Sequence, residues 1–378
     1  MATSPLSIKR HFANLTDPRI NRRKQHLLLD VIVIAICAVI CGCDNWQQIE
    51  LFGQRRRDWL KRFLKLPNGI PSHDTFERIF DRLKPAAFQA CFQDWIEALS
   101  AALPIRQIAI DGKTLRRSGR PTRDLGPLHV VSAWATEHHL ALGQVAVTEK
   151  SNEIPAIPKL LELLDLHGAL VTLDAMGCQR DIAEKILEGG GDYVLTVKDN
   201  QPKLLADIQD CFQKALDGNF AGVDHDEYET ESSGHGRHEK RSYVIIRAPA
   251  GLCQAWPGLK IIGMCCSERT VQDTNSSETR YFIGSKIAGA RTYGRALRHH
   301  WGIENSLHWQ LDIHFGEDDS RISKRQAAEN FGWLRRLALM LLKRHPAKRS
   351  IPCKRLAAAL DTDFLEEVLT DARKPENF

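Results

Sequence analysis

The chain has 378 residues, of which 43% are hydrophobic and 26% charged, the balance of a globular protein able to hold a large core and two domains. Its net charge is +5, and the excess lies wholly in residues 1–103, which carry 15 basic and 10 acidic side chains, against 37 of each in the other 275 residues. The absence of repeats or biased tracts excludes a low-complexity chain, and the basic first quarter suits either a polyanion partner or a solvated face.

Ten cysteines are present without any C-x-x-C pair, which argues against structural zinc and predicts buried free thiols in a reducing cytoplasm. The apolar run HLLLDVIVIAICAVICGC, at 26–43, is nearly long enough to span a bilayer, which takes about 20 residues. It contains Asp30, follows the basic NRRKQH, and no signal-peptide pattern precedes it. We therefore predict a buried core helix there.

The first hundred residues show helical spacing throughout. NWQQIELFGQRRRDWLKRFL places Arg55, Arg56 and Arg57 outside an apolar face. KLPNGIPSHDTFERIFDRL then supplies a turn and Ser72 as the N-cap of a further helix. Helix, turn and capped helix are compatible with a helix-turn-helix variant, although the turn is longer than usual.

From residue 104 the pattern changes to strands. IRQIAIDGK predicts a strand that ends at Asp111-Gly112, LHVVSAWAT and LALGQVAVTE a hairpin, and SNEIPAIPKLLELLDL a helix capped by Ser151 or Asn152. ALVTLDA and DYVLTVK are further strands, each followed by a helix. In this order the first and fourth strands can lie side by side, which would bring Asp111 and Asp174 together.

Residues 217–289 differ again, with a polar, Gly-rich segment followed by the short strand candidates YVIIRA, LKIIGMCC and RYFIGS. A long helical segment begins near Thr292 and contains HWGIENSLH, in which His300, Glu304 and His308 recur every fourth residue. On an α-helix that spacing stacks the three side chains on one face. A His-Glu-His metal site and a single working glutamate both fit the pattern.

Two close carboxylates repel each other, and a divalent cation relieves the repulsion. All-oxygen ligands suit Mg²⁺ or Mn²⁺, and a pair of such ions roughly 3.5–4 Å apart serves in-line displacement at a phosphodiester. A third carboxylate must complete such a site. Glu304 is the first candidate, and the rivals are Asp312, Glu317 and Asp318.

Several long phrases carry a resemblance to a known family. AIDGKTLRRS, KSNEIPAIPKLL, VTLDAMGCQRDIAEKI, DYVLTVKDNQ and RHHWGIENSLHWQLDIHFGEDDSR resemble the H-repeat-associated insertion-sequence transposases, which belong to the DDE class, and the likeness spans roughly residues 8–345. It implies that Asp111, Asp174 and Glu304 are the catalytic and metal-binding triad, served by two Mg²⁺ ions that Mn²⁺ can replace. It also implies that 217–289 is a β-rich insertion.

The resemblance implies an α/β fold, a ribonuclease H-like mixed sheet with flanking helices, preceded by an all-α N-terminal domain. The expected division is a helical DNA-binding domain at 1–103, the catalytic domain at 104–345 and a helical tail at 346–378. The implied function is a DNA transposase of the cytoplasm and nucleoid, a homodimer when two element ends are held together, with no membrane partner. A decayed or domesticated copy that binds DNA without catalysis, or a nuclease without strand transfer, remain alternatives.

The chain departs from many relatives at three positions around the glutamate. Leu297, His300 and Leu311 stand where those relatives have tyrosine, arginine and lysine, so His300 or Arg298 would have to replace their DNA contacts. We expect His300 and His308 to be packing or hydrogen-bonding groups rather than ligands, and Trp301 and Trp309 to lie mainly in the core, with base stacking as the lesser alternative. Further candidate DNA contacts, each with an equally good structural explanation, are Lys198, Asn200, Gln201, His235, Arg237 and Lys240.

Overall fold

The structure is a computed structural model that describes residues 6–20, 24–100, 105–119, 126–147, 153–234, 236–271 and 274–370. The proposed caps Ser151 and Asn152 and the candidate His235 lie outside these ranges. The N-terminal helices are α1 (Leu6–Phe12), α2 (Leu28–Ile40), α3 (Trp46–Arg55), α4 (Arg57–Leu60), α5 (His73–Arg82) and α6 (Pro85–Ser100). The later helices are α7 (Ala156–Leu161), α8 (Arg180–Glu188), α9 (Pro202–Asp217), α10 (Ala250–Ala255), α11 (Ala290–His300), α12 (Trp309–Phe315), α13 (Arg325–Arg344), α14 (Ile351–Leu360) and α15 (Thr362–Leu369).

The apolar run at 26–43 forms α2, and every residue of this helix except Leu29 is buried. Its one charged residue, Asp30, accepts a hydrogen bond from the backbone N–H of Leu66 at 2.9 Å, which satisfies a carboxylate oxygen within the core. The prediction of a buried core helix is confirmed. None of the described helices combines the length and apolarity that a membrane span needs.

The described residues form one mixed sheet of nine strands, in the spatial order β3-β2-β1-β4-β5-β9-β8-β7-β6. The strands are β1 (Gln107–Leu115), β2 (Leu128–Ala135), β3 (Leu140–Val147), β4 (Leu170–Leu173), β5 (Asp192–Val197), β6 (His225–Gly234), β7 (Arg237–Arg247), β8 (Ile261–Val271) and β9 (Thr274–Gly284). An antiparallel meander, β1 to β3, is extended by β4 and β5, which run parallel to β1. This is the ribonuclease H-like arrangement, and the predicted pairing of the first and fourth strands is confirmed.

Strands β6 to β9 continue the same sheet beyond β5, because β9 pairs antiparallel with β5. The polar segment 225–234, which the sequence analysis read as a leader to the strands, is itself strand β6. It was missed because it lies at the sheet edge with most of its side chains exposed, so it lacks an apolar alternation. Residues 218–289 thus form four strands, with the short helix α10 as the one helix among their described residues.

One continuous cluster of buried side chains includes residues from the N-terminal helices, the sheet and the helices that follow it. Helix α13 lies at its centre: the side-chain amide of Asn330 donates to the backbone oxygens of Phe80 and Leu83 at 2.9 and 2.8 Å, and Phe331 packs edge-on against Trp46. All ten cysteines lie within the described residues and are free thiols, as predicted, but the expectation that they are buried holds only for Cys37, Cys178 and Cys265.

Candidate active site

Asp111 lies inside strand β1, at the point where β1 loses one neighbour. The last residue pair between β1 and β4 is Ile110 with Leu173, whereas β1 stays paired with β2 through Asp111 as far as Leu115. Asp174 is the first residue beyond β4, so the two acids stand side by side as predicted. The expectation that β1 ends at Asp111 was wrong, because the longer antiparallel partner continues its ladder.

The loop after β4 is built around Asp174. The backbone N–H groups of Met176 and Gly177 both donate to Oδ1 of Asp174, at 3.1 and 3.3 Å. Asn200 and Gln201 donate from their side-chain amides to carbonyl oxygens of the same loop, at 2.6 and 2.9 Å. These two side chains, considered in the sequence as DNA contacts or a helix cap, therefore brace the loop that holds Asp174.

Glu304 opens a π-helical turn, Glu304–His308, between α11 and α12, in which the N–H of Trp309 donates to the carbonyl oxygen of Glu304. Such a turn inserts one residue into the helix and is common at functional sites. Glu304 is exposed whereas His308 is buried, so the regular every-fourth-residue stack inferred from HWGIENSLH was wrong at this turn. Sequence periodicity gives no signal for a single π turn.

The rival acids are engaged elsewhere. The ammonium group of Lys113 contacts Asp312, lies 2.9 Å from Glu317 and 3.9 Å from Asp318. Glu317 is fully buried and also meets Arg336 at 2.9 Å. Burial opposes its ionisation, but Arg336 and Lys113 lower the pKa of Glu317 to about 2. Among the described residues, Glu304 has no ion pair of this kind.

The charges of the three candidate acids act on one another. Burial raises the pKa of Asp174 above its ordinary value, and the charge of Asp111 raises it further. Burial and then the charge of Asp111 also raise the pKa of Glu304, to which Asp174 adds. Burial likewise opposes the ionisation of Asp111, but His308 and His300 outweigh it and hold the pKa of Asp111 below its usual value.

The donor chemistry of these residues fits a hard divalent cation. Three carboxylates whose charges repel offer the oxygen ligands that Mg²⁺ and Mn²⁺ prefer. Neither ring nitrogen of the buried His308 makes a hydrogen bond, although Nε2 lies 3.3 Å from Oδ2 of Asp111, so the site holds polar atoms that the protein leaves unsatisfied. Within the described residues, no three His, Cys, Asp or Glu side chains are close enough together to hold an ion as they stand.

A fourth carboxylate, Glu153, was not singled out in the sequence. It covers Gly112, where a Cβ atom would fall 2.1 Å from Oε1 of Glu153. The same oxygen lies 2.8 Å from Nε2 of His129, and the charge of Glu153 contributes to the raised pKa of Asp174. The available signal was Gly112 itself, because a glycine inside a strand marks the close approach of another group.

His300 fastens α11 to the sheet. Its Nδ1 lies 3.0 Å from Oγ1 of Thr172, two residues before Asp174, and the side chain of Gln107 donates to the carbonyl oxygen of Ala296 at 2.7 Å. Burial lowers the pKa of His300. The prediction of a hydrogen-bonding histidine is confirmed, and of the two suggested replacements for the arginine of relatives only Arg298 is exposed.

The two tryptophans beside Glu304 lie on the surface. Trp301 is 41% and Trp309 49% exposed, so the expectation of core positions was wrong, and Ile303 and Leu307 fill the core instead. The guanidinium group of Arg280, on β9, lies over the ring of Trp301 at 4.9 Å from its centroid. An aromatic ring with a cation above it therefore borders the candidate acid.

Comparisons with known proteins identify the family of this chain. Residues 103–341 match the family model described as transposase DDE domain, and residues 9–96 match the model described as associated with it. The chain is 39% identical over 367 residues to "H repeat-associated putative transposase YhhI" of Escherichia coli K12, covering 95% of this chain and 96% of that protein. It is 40% identical over 370 residues to "Putative transposase YncI" of Escherichia coli O157:H7, covering 96% and 94%.

Among solved structures, the chain resembles the piggyBac transposase in a synaptic complex with hairpin DNA. The identity is 10% and the TM-score 0.41, over 99% of this chain and 79% of that one. So loose an overlap adds nothing about the function of the site.

Proposed function

This chain belongs to the family of transposases with a DDE domain, and we propose that it cuts a phosphodiester at the ends of a mobile DNA element and joins the freed 3′-hydroxyl to target DNA. The observation that carries the proposal is the placement of Asp111 and Asp174 side by side where β4 ends, with Glu304 close enough for the charges of both to raise its pKa. Three carboxylates in one region of the fold, brought together by a bound cation, would suit displacement at phosphorus.

Asp111, Asp174 and Glu304 would hold two Mg²⁺ ions, or Mn²⁺ in their place, which would activate the attacking oxygen and stabilise the leaving one. The protein's own contribution is placement. Backbone donors occupy only Oδ1 of Asp174, which leaves Oδ2 available to a ligand. His308 favours the ionised form of Asp111 at neutral pH.

The charge network around Lys113 would act as a support for Glu304. Lys113 lies two residues after Asp111 on β1, and its contact with Asp312 joins that strand to α12, directly after the π-helical turn. Through Glu317 the network reaches Arg336 on α13. Two of the three proposed ligands are thereby tied to one another through ion pairs that do not enter the site.

We further propose that residues 1–103 are the part that binds the element ends. Residues 104–345 would then be the catalytic part, and 346–378 a helical tail. The first part carries the whole excess of positive charge and α5, which begins directly after Ser72, although the Ser72 side chain makes no capping hydrogen bond. Phosphate contacts from such side chains position DNA without reading its sequence. Several are exposed on and after α3, namely Arg55, Arg57, Lys61 and Arg62. Action at the nucleoid and a dimer that pairs two ends follow from the proposed reaction.

The test is metal-dependent nicking of duplexes made from the DNA that borders the gene on each side, where the proposal expects inverted repeats. Asp111→Asn and Glu304→Gln are expected to lower the nicking rate at least about 10³-fold, because each removes a charged ligand of the reacting centre. Asp319→Asn, an exposed acid on the loop after α12, is the matched control and should nick like the wild type. If the two variants nick as fast as the control, the proposal fails.

The same assay separates the alternatives. A decayed copy would bind the duplex with unchanged affinity and release no nicked product in either Mg²⁺ or Mn²⁺. A nuclease without strand transfer would nick, yet give no joined product when pre-cleaved ends and target DNA are supplied. A transposase gives both products.

A further inference from the structure

Strands β6 to β9 form a part of the sheet that extends past the helices packed on it. In this exposed part of the sheet, the two faces carry opposite charge. Because side chains alternate along each strand, the register assigns every position to one face. One face, here called the arginine face, is the side that α11 packs against, and its charged side chains in the exposed part are Arg237, Arg241, Arg269, Arg280, Glu239 and Glu278. The other, the glutamate face, carries Glu227, Glu229, Glu231, Glu268 and Lys240.

The arginine face is organised by one buried carboxylate. Glu239 is 3% exposed and is surrounded by three guanidinium groups, with Arg237 at 3.2 Å, Arg269 at 3.6 Å and Arg241 in direct contact. Burial opposes its ionisation, but the three arginines outweigh this and lower the pKa of Glu239. The single carboxylate of Glu239 therefore holds three guanidinium groups in place, and these four side chains together carry a net charge of +2.

Two of these arginines keep donors free for a ligand. The side chains of Arg237 and Arg269 are 44% and 49% exposed, and each guanidinium group has five N–H donors, more than one shared carboxylate can use. Arginine forks match the oxygens of a phosphate in pairs. Glu239 thus holds the forks in place while leaving their outer edges open to solvent.

The arginine face leads to the candidate active site. Arg269 on β8 pairs with Ser276 on β9, and Arg280 lies four residues further along β9. At about 3.3 Å per residue, Arg269 and Arg280 are therefore about 13 Å apart along the strand direction. Arg280 covers Trp301, three residues before Glu304, and its charge and that of Glu304 act on each other. The span between the arginines corresponds to about four base-pair steps along a duplex, each about 3.4 Å.

We propose that the arginine face is a binding surface for the phosphate backbone of the DNA duplex, and that it guides one strand past Arg280 and Trp301 to Glu304. The proposal rests on the proposed function and adds to it the surface that the substrate occupies. Charge complementarity and continuity with the site select nucleic acid as the occupant. The glutamate face would repel the same backbone, so the duplex lies on one side of the insertion only.

The experiment compares Arg237→Gln/Arg269→Gln with Lys240→Gln in the full-length protein, with binding measured at several salt concentrations. Lys240 is the matched control, because it lies on β7 between the arginine positions but on the glutamate face, where it pairs with Glu229 at 3.1 Å. The probes are a duplex of about 30 base pairs taken from the DNA that borders the gene and one of the same length and scrambled sequence. The charge-retaining variant Arg237→Lys/Arg269→Lys tests for loss by misfolding.

We expect the double glutamine variant to bind both probes at least about 10-fold more weakly than the wild type. It should also reduce the slope of log affinity against log salt by about 2, one unit for each lost phosphate contact. Lys240→Gln should leave both quantities unchanged, and the lysine variant should keep the slope. An unchanged slope in the double glutamine variant, or an equal loss in Lys240→Gln, overturns the proposal. A wild type that binds and nicks neither probe instead refutes the proposed function.

Discussion

Nε2 of His308 lies 3.3 Å from Oδ2 of Asp111, so the π-helical turn that starts at Glu304 reaches back to the strand that carries the first acid. Three features of the site meet in this one contact. The contact favours the ionised form of Asp111, it involves a buried imidazole, and it joins the π-helical turn of Glu304 to strand β1. The first two predictions concern this contact and the turn that makes it possible.

Replacement of His308 should change the acid limb of the stability curve. The pKa of Asp111 is lower in the folded state than in the unfolded state, so its charge stabilises the fold at pH values above its unfolded-state pKa. That stabilisation is lost as the pH falls through the folded-state pKa of Asp111. His308→Leu removes the largest influence that lowers the pKa of Asp111. The variant should therefore be less stable at neutral pH by about 1 kcal/mol, and Asp111 should titrate at a higher pH. Thermal unfolding between pH 3 and 8 and carboxyl ¹³C NMR measure both, and two superimposable pH profiles would contradict the assignment.

Deletion of Ser306 should convert the π-helical turn to an ordinary α-helical one. The residues before the turn are fixed by the contact of His300 with Thr172, and those after it by the contact of Asp312 with Lys113. The shortened turn must therefore break one of these contacts or pull His308 away from Asp111. We expect a melting temperature a few degrees lower, a preserved circular dichroism spectrum, and loss of metal-dependent nicking. Wild-type nicking by the deletion variant would show that the extra residue has no part in the reaction.

Glu317 should dominate the acid sensitivity of the fold. Its pKa is lowered from 4.5 to about 2, so its stabilising charge is fully present above pH 4.5 and is lost as pH falls toward 2. Glu317→Gln leaves Lys113 and Arg336 without that partner and should cost about 3–5 kcal/mol at pH 7, with a flatter pH dependence below pH 5. Urea unfolding at pH 3, 5 and 7 provides the measurement. Asp210→Asn, which breaks the exposed pair with Lys214, should leave the free energy of unfolding nearly unchanged.

Glu153 should strengthen cation binding by the neighbouring acids. Its charge raises the pKa of Asp174, so Glu153→Gln should lower that pKa and reduce the electrostatic attraction for a divalent ion. We expect Mn²⁺ affinity to fall about 10-fold, as is typical when a group next to metal ligands is lost. The rise in melting temperature with added Mn²⁺ is the readout. Glu162→Gln, whose partner Lys185 lies 3.0 Å away at the surface, is the control, and equal Mn²⁺ responses in the two variants would exclude a role for Glu153.

The sequence was sufficient to predict the central sheet and the positions of Asp111 and Asp174 in it, and the reason is physical. Apolar runs such as IAI and VTL form buried strands, and an acid that follows such a run must lie at the surface of the sheet or meet a partner. Asp111 and Asp174 both follow such runs, and the order of strands and helices places them side by side. The apolar run at 26–43 could be assigned to a core helix because it contains Asp30, follows a basic segment and falls short of a membrane span.

The features that were missed depend on contacts that no local pattern records. Strand β6 is polar because its side chains face solvent, and its pairing with β7 becomes evident only in the fold. Asp312 and Lys113 form an ion pair although 199 positions separate them in the chain. Glu317 pairs with Arg336, and both side chains are buried, whereas charged residues in a sequence are ordinarily expected at the surface. The exposure of Trp301 follows from Ile303 and Leu307 having taken the inward face.

The packing of α13 against α2 has a consequence for synthesis of the protein. The two helices are in contact in the folded core, although about 300 residues separate them in the chain. At roughly 5–20 residues per second, α2 leaves the ribosome about 15–60 s before the helix that completes its burial is made. During that interval its apolar surface needs temporary cover, so premature termination upstream of α13 would leave an aggregation-prone fragment rather than a smaller folded protein.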